Sequence, residues 1–135
     1  MRRSPAVPEQ AARVSIAALE SFMSSWKAEL SSAGLLGSPV VVHLFQQPLA
    51  VELGFDIRGM FGPGPVEAAQ IAKLSPSKAR FILDNWHNEA GGPLRETMKG
   101  VGYASLINFP GEDGTKTLLD VMKDDRNRLK AAAGY

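Results

Sequence analysis

Apolar residues recur at alternating steps of four and three near the start of the chain, and this spacing predicts an amphipathic helix over residues 8 to about 32. The stripe consists of Ala12, Ile16, Leu19, Met23, Trp26 and Leu30. A stripe this narrow packs either on the protein's own sheet or along a helix of another chain. We favour the first interpretation and keep the second as an alternative.

Two strands are predicted next. Residues 40–45 are β-branched and aromatic, and residues 49–58 alternate strictly between apolar and polar side chains. Alternation with period two is typical of a half-buried strand. Since only a short break at Gln46, Gln47 and Pro48 separates the two segments, antiparallel pairing is the economical expectation.

The middle of the chain, residues 65–90, predicts two short helices, because Pro65 and Pro76 both suit the first position of a helix. A third strand is expected over residues 101–109 and a last helix over residues 115 to about 133. The predicted fold is therefore a single α+β domain of order α-β-β-α-α-β-α, with helices covering a small, mainly antiparallel sheet. The domain spans residues 11–135, and residues 1–10 form an extended N-terminal arm containing Pro5 and Pro8.

The amino-acid composition indicates the general class of protein but not a particular activity. The 135 residues are 44% hydrophobic and 21% charged, with a formal net charge of +1 and no cysteine. This balance is ordinary for a globular domain, gives no strong attraction to nucleic acid or acidic lipid, and excludes thiol catalysis. No apolar segment approaches a membrane span, and no secretory signal precedes the first helix. We expect a protein of the cytoplasm or of a large particle.

No catalytic motif emerges, and we expect neither an enzyme nor a cofactor or metal. His43 and His87 lie outside any metal-binding spacing, so both are interpreted as structural or surface residues. Glu52 and Asp56 share the polar face of the predicted strand near Arg58, where an exposed charge pair is the simplest explanation. Ser105 lacks the flanking glycines of a nucleophile elbow. The glycines at 59, 62 and 64 do not follow a phosphate-loop order, and two prolines remove amides from that segment.

The central helix pair resembles a helix-turn-helix over about 20 residues. Ala69 falls at the small-residue position and Ser75 at the cap of the second helix, but Lys73 stands where the motif usually has a turn glycine. The resemblance implies DNA binding through Ser77, Lys78, Arg80 and Asn85. Residues 64–92 carry three basic and three acidic side chains, and a neutral segment is a poor start for binding phosphates. Nucleic acid is therefore the less favoured partner.

The favoured hypothesis is a non-enzymatic structural or assembly subunit of a larger complex, for which the size of the chain suggests a phage particle as one example. Such a subunit would self-associate or bind other proteins. The predicted contacts are Arg2 and Arg3 of the arm and Phe81, an aromatic residue outside the core pattern of the second central helix. Three residues of the helical stripe are also predicted contacts: Leu19, Met23 and Trp26.

Overall fold

The computed structural model describes the backbone of residues 6–135 and the side chains of residues 16–135. Within residues 6–135, five α-helices alternate with four strands. The helices are α1 (Ala6–Ser32), α2 (Gln47–Glu52), α3 (Ala68–Leu74), α4 (Gly92–Thr97) and α5 (Leu118–Ala133). The strands are β1 (Pro39–His43), β2 (Asp56–Phe61), β3 (Phe81–Asn85) and β4 (Gly102–Leu106).

The four strands form one sheet in the order β2-β1-β3-β4, and every neighbouring pair is parallel. The predicted mixture of helices and strands is present, but the predicted antiparallel sheet is wrong. The physical reason is the crossover: a helix follows β1, β2 and β3 in turn, and each crossover returns the chain to the same edge before the next strand begins.

Both faces of this sheet are covered, as parallel sheets require. One face packs against α1, α2 and α5 around the buried side chains of Trp26, Leu30, Phe81 and Leu129. The other face packs against α3 and α4, with Phe61, Ile82 and Leu94 at its centre. The ion pair between Arg126 of α5 and Glu29 of α1, with an Nη2–Oε2 distance of 2.7 Å, ties the two long helices together.

Two predicted elements have a different structure. Residues 49–58 are not one strand, since α2 includes the first four of them and Gly54, with a φ of 80°, turns the chain before β2. The second central helix is also wrong. After α3 the chain makes a single 3-10 turn at Ser75–Ser77, Lys78 takes a left-handed conformation with a φ of 61°, and the segment that follows is the fully buried strand β3.

The long helices match the prediction more closely. α1 extends over the predicted range and already includes residues 6–10, which were expected in the extended arm, while residues 1–5 lie outside the described residues. α5 begins at a capping box, in which Thr117 accepts from the amide of Asp120 and Asp120 accepts from the amide of Thr117. Within the described part of the chain, no helix is both long enough and apolar enough to cross a membrane.

Candidate ligand site at the carboxyl edge of the sheet

The chain leaves the two central strands in opposite directions. β1 connects through α2 to β2 on one side, whereas β3 connects through α4 to β4 on the other. In open sheets of parallel strands, this change of direction opens a crevice outside the carboxyl ends of the two strands, and ligands commonly bind there. We call this region the carboxyl edge; it consists of the last residues of the four strands and the segments that follow them.

Buried polar side chains end the two central strands. The register of β1 and β3 runs to the pair Val42 and Leu83, so His43 and Asp84 follow one residue later on adjacent strands. Both side chains have no solvent exposure. Burial lowers the pKa of His43, while the charge of Asp84 and the backbone of Asn88 act in the opposite direction. His43 is therefore a neutral imidazole at neutral pH.

The hydrogen bonds of His43 assign its tautomer. Its Nδ1 accepts from the amide of Phe45 at 3.0 Å, so the ring proton is carried by Nε2. Nε2 makes no hydrogen bond of ordinary geometry with the described residues, and it lies against Gly62. A Cβ at position 62 would lie 2.7 Å from Nε2, so the glycine makes room for this ring.

Asp84 accepts four hydrogen bonds at the end of β3, two of them from the segment that follows the strand. Its Oδ1 accepts from the amides of Asn85 at 2.9 Å and Ala90 at 3.1 Å. Its Oδ2 accepts from the amide of Gly91 at 2.8 Å and from the Tyr103 hydroxyl at 2.5 Å. Burial, followed by this bond to Asp84, raises the pKa of Tyr103, so the phenol stays protonated and donates. The carboxylate thus folds residues 85–91 back over the end of β3.

A cleft of about 550 Å³ opens above this segment. One wall comes from the β2–α3 connection, and the other comes from the segment after β3, from α4 and from β4. Arg95 places its guanidinium carbon 4.4 Å from the centre of the Tyr103 ring. Glu89 is fixed by Ser105, whose hydroxyl donates to Oε2 at 2.5 Å. The lining residues are Pro63, Pro65, Val66, Glu89, Ala90, Gly92, Pro93, Arg95 and Tyr103.

A second buried polar group lies on the opposite face of the same edge. Gln46 donates from Nε2 to Asn85 Oδ1 at 2.7 Å and to the carbonyl of Leu106 at 3.3 Å. Asn85 in turn donates from Nδ2 to Asn88 Oδ1. These bonds connect the segment after β1 to the last residues of β3 and β4 and to the turn after β3, on the face of the sheet opposite the cleft.

Large apolar side chains surround the carboxyl edge at its surface. Leu44 and Phe45 follow β1, Trp86 follows β3, and Phe109 lies three residues beyond β4; each is between 39% and 50% exposed. We call these four residues the exposed rim. Its Phe109 ring stacks on His87 at a centroid distance of 3.7 Å, and Arg128 lies 5.9 Å from the Trp86 ring. Exposed large apolar side chains that follow neighbouring strands at one edge of a sheet are typical of a binding surface.

The residues predicted to contact DNA do not form one surface. Arg80 is exposed just before β3, and Ser77 and Lys78 precede it, whereas Asn85 is buried at the other end of that strand. Because residues 81–85 form a strand, there is no recognition helix, and the predicted helix-turn-helix is wrong. A strand buried on both faces takes the place of the second helix.

The residues predicted to contact another protein do not form one exposed surface either. Trp26 and Phe81 are 1% and 3% exposed in the chain's own core, so neither side chain is free to contact a partner. Leu19 and Met23 are half-buried. Arg2 and Arg3 lie outside the described residues.

The residues that shape the cleft were not predicted as a site. Asp84 and Glu89 were assigned to a helix, and Tyr103 and Arg95 carried no expected role. The signal was nevertheless present, because residues 84–89, DNWHNE, are polar apart from one tryptophan and directly follow three apolar residues of a buried strand. Had the strand been predicted, polar residues at its carboxyl end would have indicated the crevice.

The carboxylates that were assigned to the polar face of the predicted second strand do not line this cleft. Asp56 and Arg58 form an exposed ion pair with an Oδ2–Nε distance of 2.6 Å, and Glu52 belongs to α2. Among residues 16–135, no three His, Cys, Asp or Glu side chains are close enough together to hold a metal ion. A scan against protein-family models and a search of curated proteins found no match to this chain.

Proposed function

We propose that the chain is a non-enzymatic binding domain that takes a small polar ligand in the cleft at the carboxyl edge. The observation that carries this proposal is the arrangement around Asp84, whose two oxygens accept four hydrogen bonds beneath the cleft floor. A buried carboxylate used in this way fixes the cleft in one shape, and a preformed cleft binds its ligand at a lower entropic cost. The volume also falls within the usual range for small-molecule sites.

A binding role without catalysis agrees with the chemistry of the same residues. Asp84 has no free acceptor of the kind a general base needs, and it lies behind the amides of Ala90 and Gly91. His43 is buried with Nδ1 already engaged by Phe45. The groups that face the cleft, Glu89 and Arg95, are suited to holding charged groups.

A cleft-filling variant tests this proposal. Gly92 lines the cleft, and a Cβ built at this position meets no atom within 4 Å, so Gly92→Phe extends a ring into open space. We expect the wild-type protein to give ligand-observed NMR signals with members of a mixture of small polar metabolites, and Gly92→Phe to lose them. Ala131→Phe, on the exposed side of α5, is the control and should bind normally. Equal binding by Gly92→Phe and the wild type would place the ligand elsewhere.

The exposed rim supports a second candidate function, that of an assembly subunit whose carboxyl edge is covered by another copy of the chain. Four exposed apolar side chains on one edge favour this hypothesis. We expect sedimentation equilibrium at micromolar concentration to show association that weakens in Phe109→Ser. Val51, which is 58% exposed on α2, provides the control Val51→Ser. A wild-type protein that sediments as a monomer contradicts this candidate and leaves the first one standing.

A further inference from the structure

The cleft holds two opposite charges that do not neutralise each other. Glu89 and Arg95 both line it and both are exposed, yet among the described residues neither side chain forms an ion pair. Both side chains contact the same face of β4: the Arg95 guanidinium carbon lies 4.4 Å from the centre of the Tyr103 ring, and Glu89 accepts from Ser105, two residues further along the strand. Opposite charges kept apart on one cleft are suited to a ligand that carries both signs itself.

Each charge is held in position by an uncharged neighbour. The Ser105 hydroxyl donates to Oε2 of Glu89 and leaves Oε1 without a partner among the described residues. The Tyr103 ring lies 4.4 Å from the Arg95 guanidinium carbon, and this guanidinium donates no hydrogen bond to the described residues. A ring contact of this kind orients a guanidinium while its N–H groups stay available. The two side chains are therefore positioned before a ligand arrives.

On the basis of the proposed function, we infer that the ligand is a free α-amino acid, whose carboxylate binds Arg95 and whose ammonium group binds Glu89. A guanidinium matches a carboxylate through two parallel hydrogen bonds. The Glu89 carboxylate has one oxygen, Oε1, without a partner among the described residues, and this oxygen is suited to accept a hydrogen bond from an ammonium group. The opposite wall, formed by Pro63, Pro65 and Val66, is apolar and suits a hydrophobic side chain of the ligand.

Capped ligands separate the two charge contacts. L-leucine and L-phenylalanine are titrated by calorimetry, together with their N-acetyl and amide derivatives. We expect at least one free amino acid to bind, and each derivative to bind at least about tenfold more weakly, because a site built for a polar group rejects an analogue that lacks it. Derivatives that bind as well as the free amino acids would overturn the inference.

Two variants assign the contacts to their residues. Glu89→Gln should weaken binding of the free amino acid at least about tenfold and change the already weak binding of the N-acetyl form little. Arg95→Gln should likewise weaken binding of the free amino acid at least about tenfold and change the already weak binding of the amide form little. The controls are Glu96→Gln, an exposed carboxylate on the same helix as Arg95, and Arg80→Gln, an exposed arginine 5.8 Å from the Phe81 ring. Undiminished binding by both cleft variants contradicts the inference.

The proposed function and this inference fail in different ways. If an uncharged or singly charged compound from the metabolite mixture binds, is blocked by Gly92→Phe and is not displaced by any amino acid, the cleft is a binding site and the amino-acid assignment is wrong. If no compound binds the wild type, or if Gly92→Phe blocks none of the compounds that do bind, both are wrong.

Discussion

Asp125 lies on the buried side of α5 with no solvent exposure, and its environment favours the neutral carboxylic acid. Burial raises its pKa from 3.8 to about 8; the amide of Ile107, which donates to Oδ1 at 2.7 Å, lowers it in part, and the charge of Asp124 raises it further. Oδ2 has no hydrogen-bond partner among the described residues. At neutral pH the folded protein therefore holds a proton here that the unfolded chain releases.

The sign of the pH dependence follows from this proton. Between the unfolded pKa of 3.8 and the folded pKa of about 8, the native state binds more protons than the unfolded state, so stability falls as pH rises. Each pH unit within this window costs about 1.4 kcal/mol. At pH 7 the accumulated cost is on the order of 4 kcal/mol, and below the unfolded pKa it disappears.

Asp125→Asn removes the titrating group and keeps an oxygen that can accept from Ile107. We expect the variant to match the wild type near pH 4 and to exceed it increasingly up to pH 8, with a gain at pH 7 of up to about 4 kcal/mol. Urea unfolding followed by circular dichroism at several pH values measures the difference.

Asp56 provides the control, because it is not among the groups that shift the pKa of Asp125. It forms an exposed pair with Arg58 at an Oδ2–Nε distance of 2.6 Å, so Asp56→Asn should lose less than about 1 kcal/mol of stability. The reasoning is refuted if Asp125→Asn is less stable than the wild type at pH 7, or if the stability difference between the two proteins is the same at every pH.

Three further predictions concern the framework of the fold. A Cβ at Gly91 would lie 2.8 Å from Oδ2 of Asp84 and 3.2 Å from Phe61, so Gly91→Ala should lower the free energy of unfolding by about 1–3 kcal/mol. A Cβ at Gly92 meets open space, so the control Gly92→Ala should change it by less than about 1 kcal/mol. Chemical unfolding of the two variants compares them directly, and equal losses would contradict the assigned contact. Arg128 pairs with Asp113 and Asp124 and donates to the Ser105 carbonyl. Arg128→Gln should therefore lower the free energy of unfolding by about 1–3 kcal/mol and alter the fluorescence of Trp86. The control Arg58→Gln removes an exposed ion pair and should lower it by less than about 1 kcal/mol. Trp26 donates to the Tyr135 hydroxyl at 2.9 Å, so Tyr135→Phe should cost about 1 kcal/mol in thermal unfolding, and an unchanged midpoint would show that this bond contributes nothing.

The helices with a one-sided apolar pattern were predictable from sequence. Trp26 and Leu30 of α1 recur at a helical spacing and are buried against the sheet, and Leu129 of α5 behaves in the same way. One face of such a helix meets the core and the other meets solvent, so the sequence pattern directly reflects the structure.

The central strand was not predictable by the same reasoning. β3 is buried on both faces, so its residues Phe81, Ile82 and Leu83 do not alternate with polar ones, and with Ala79 and Trp86 nearby they also fit a helical spacing. Periodicity alone does not separate a short buried strand from a buried helix. This error turned the central strand into the second helix of a pair and hid the site at the end of β3.

The structure of the segment after β1 was predicted wrongly for a related reason. Residues 49–58 alternate between apolar and polar side chains, but the first part is the short helix α2, whose amphipathic pattern is only six residues long. Pro48, in the first turn of α2, and Gly54, with a positive φ, were the local signals of a helix followed by a turn. A helix between two strands would have indicated parallel pairing.

Amide NMR of the isotopically labelled protein tests the central claim, that the cleft at the carboxyl edge binds a small ligand. The protein is titrated with whichever compound binds best among the metabolite mixture and the free amino acids. The account predicts shifts of the amide signals of Ala90, Gly91, Gly92 and Tyr103, with those of α1 and of the outer side of α5 unchanged. Shifts confined to other parts of the surface, or no shift with any compound, would contradict it.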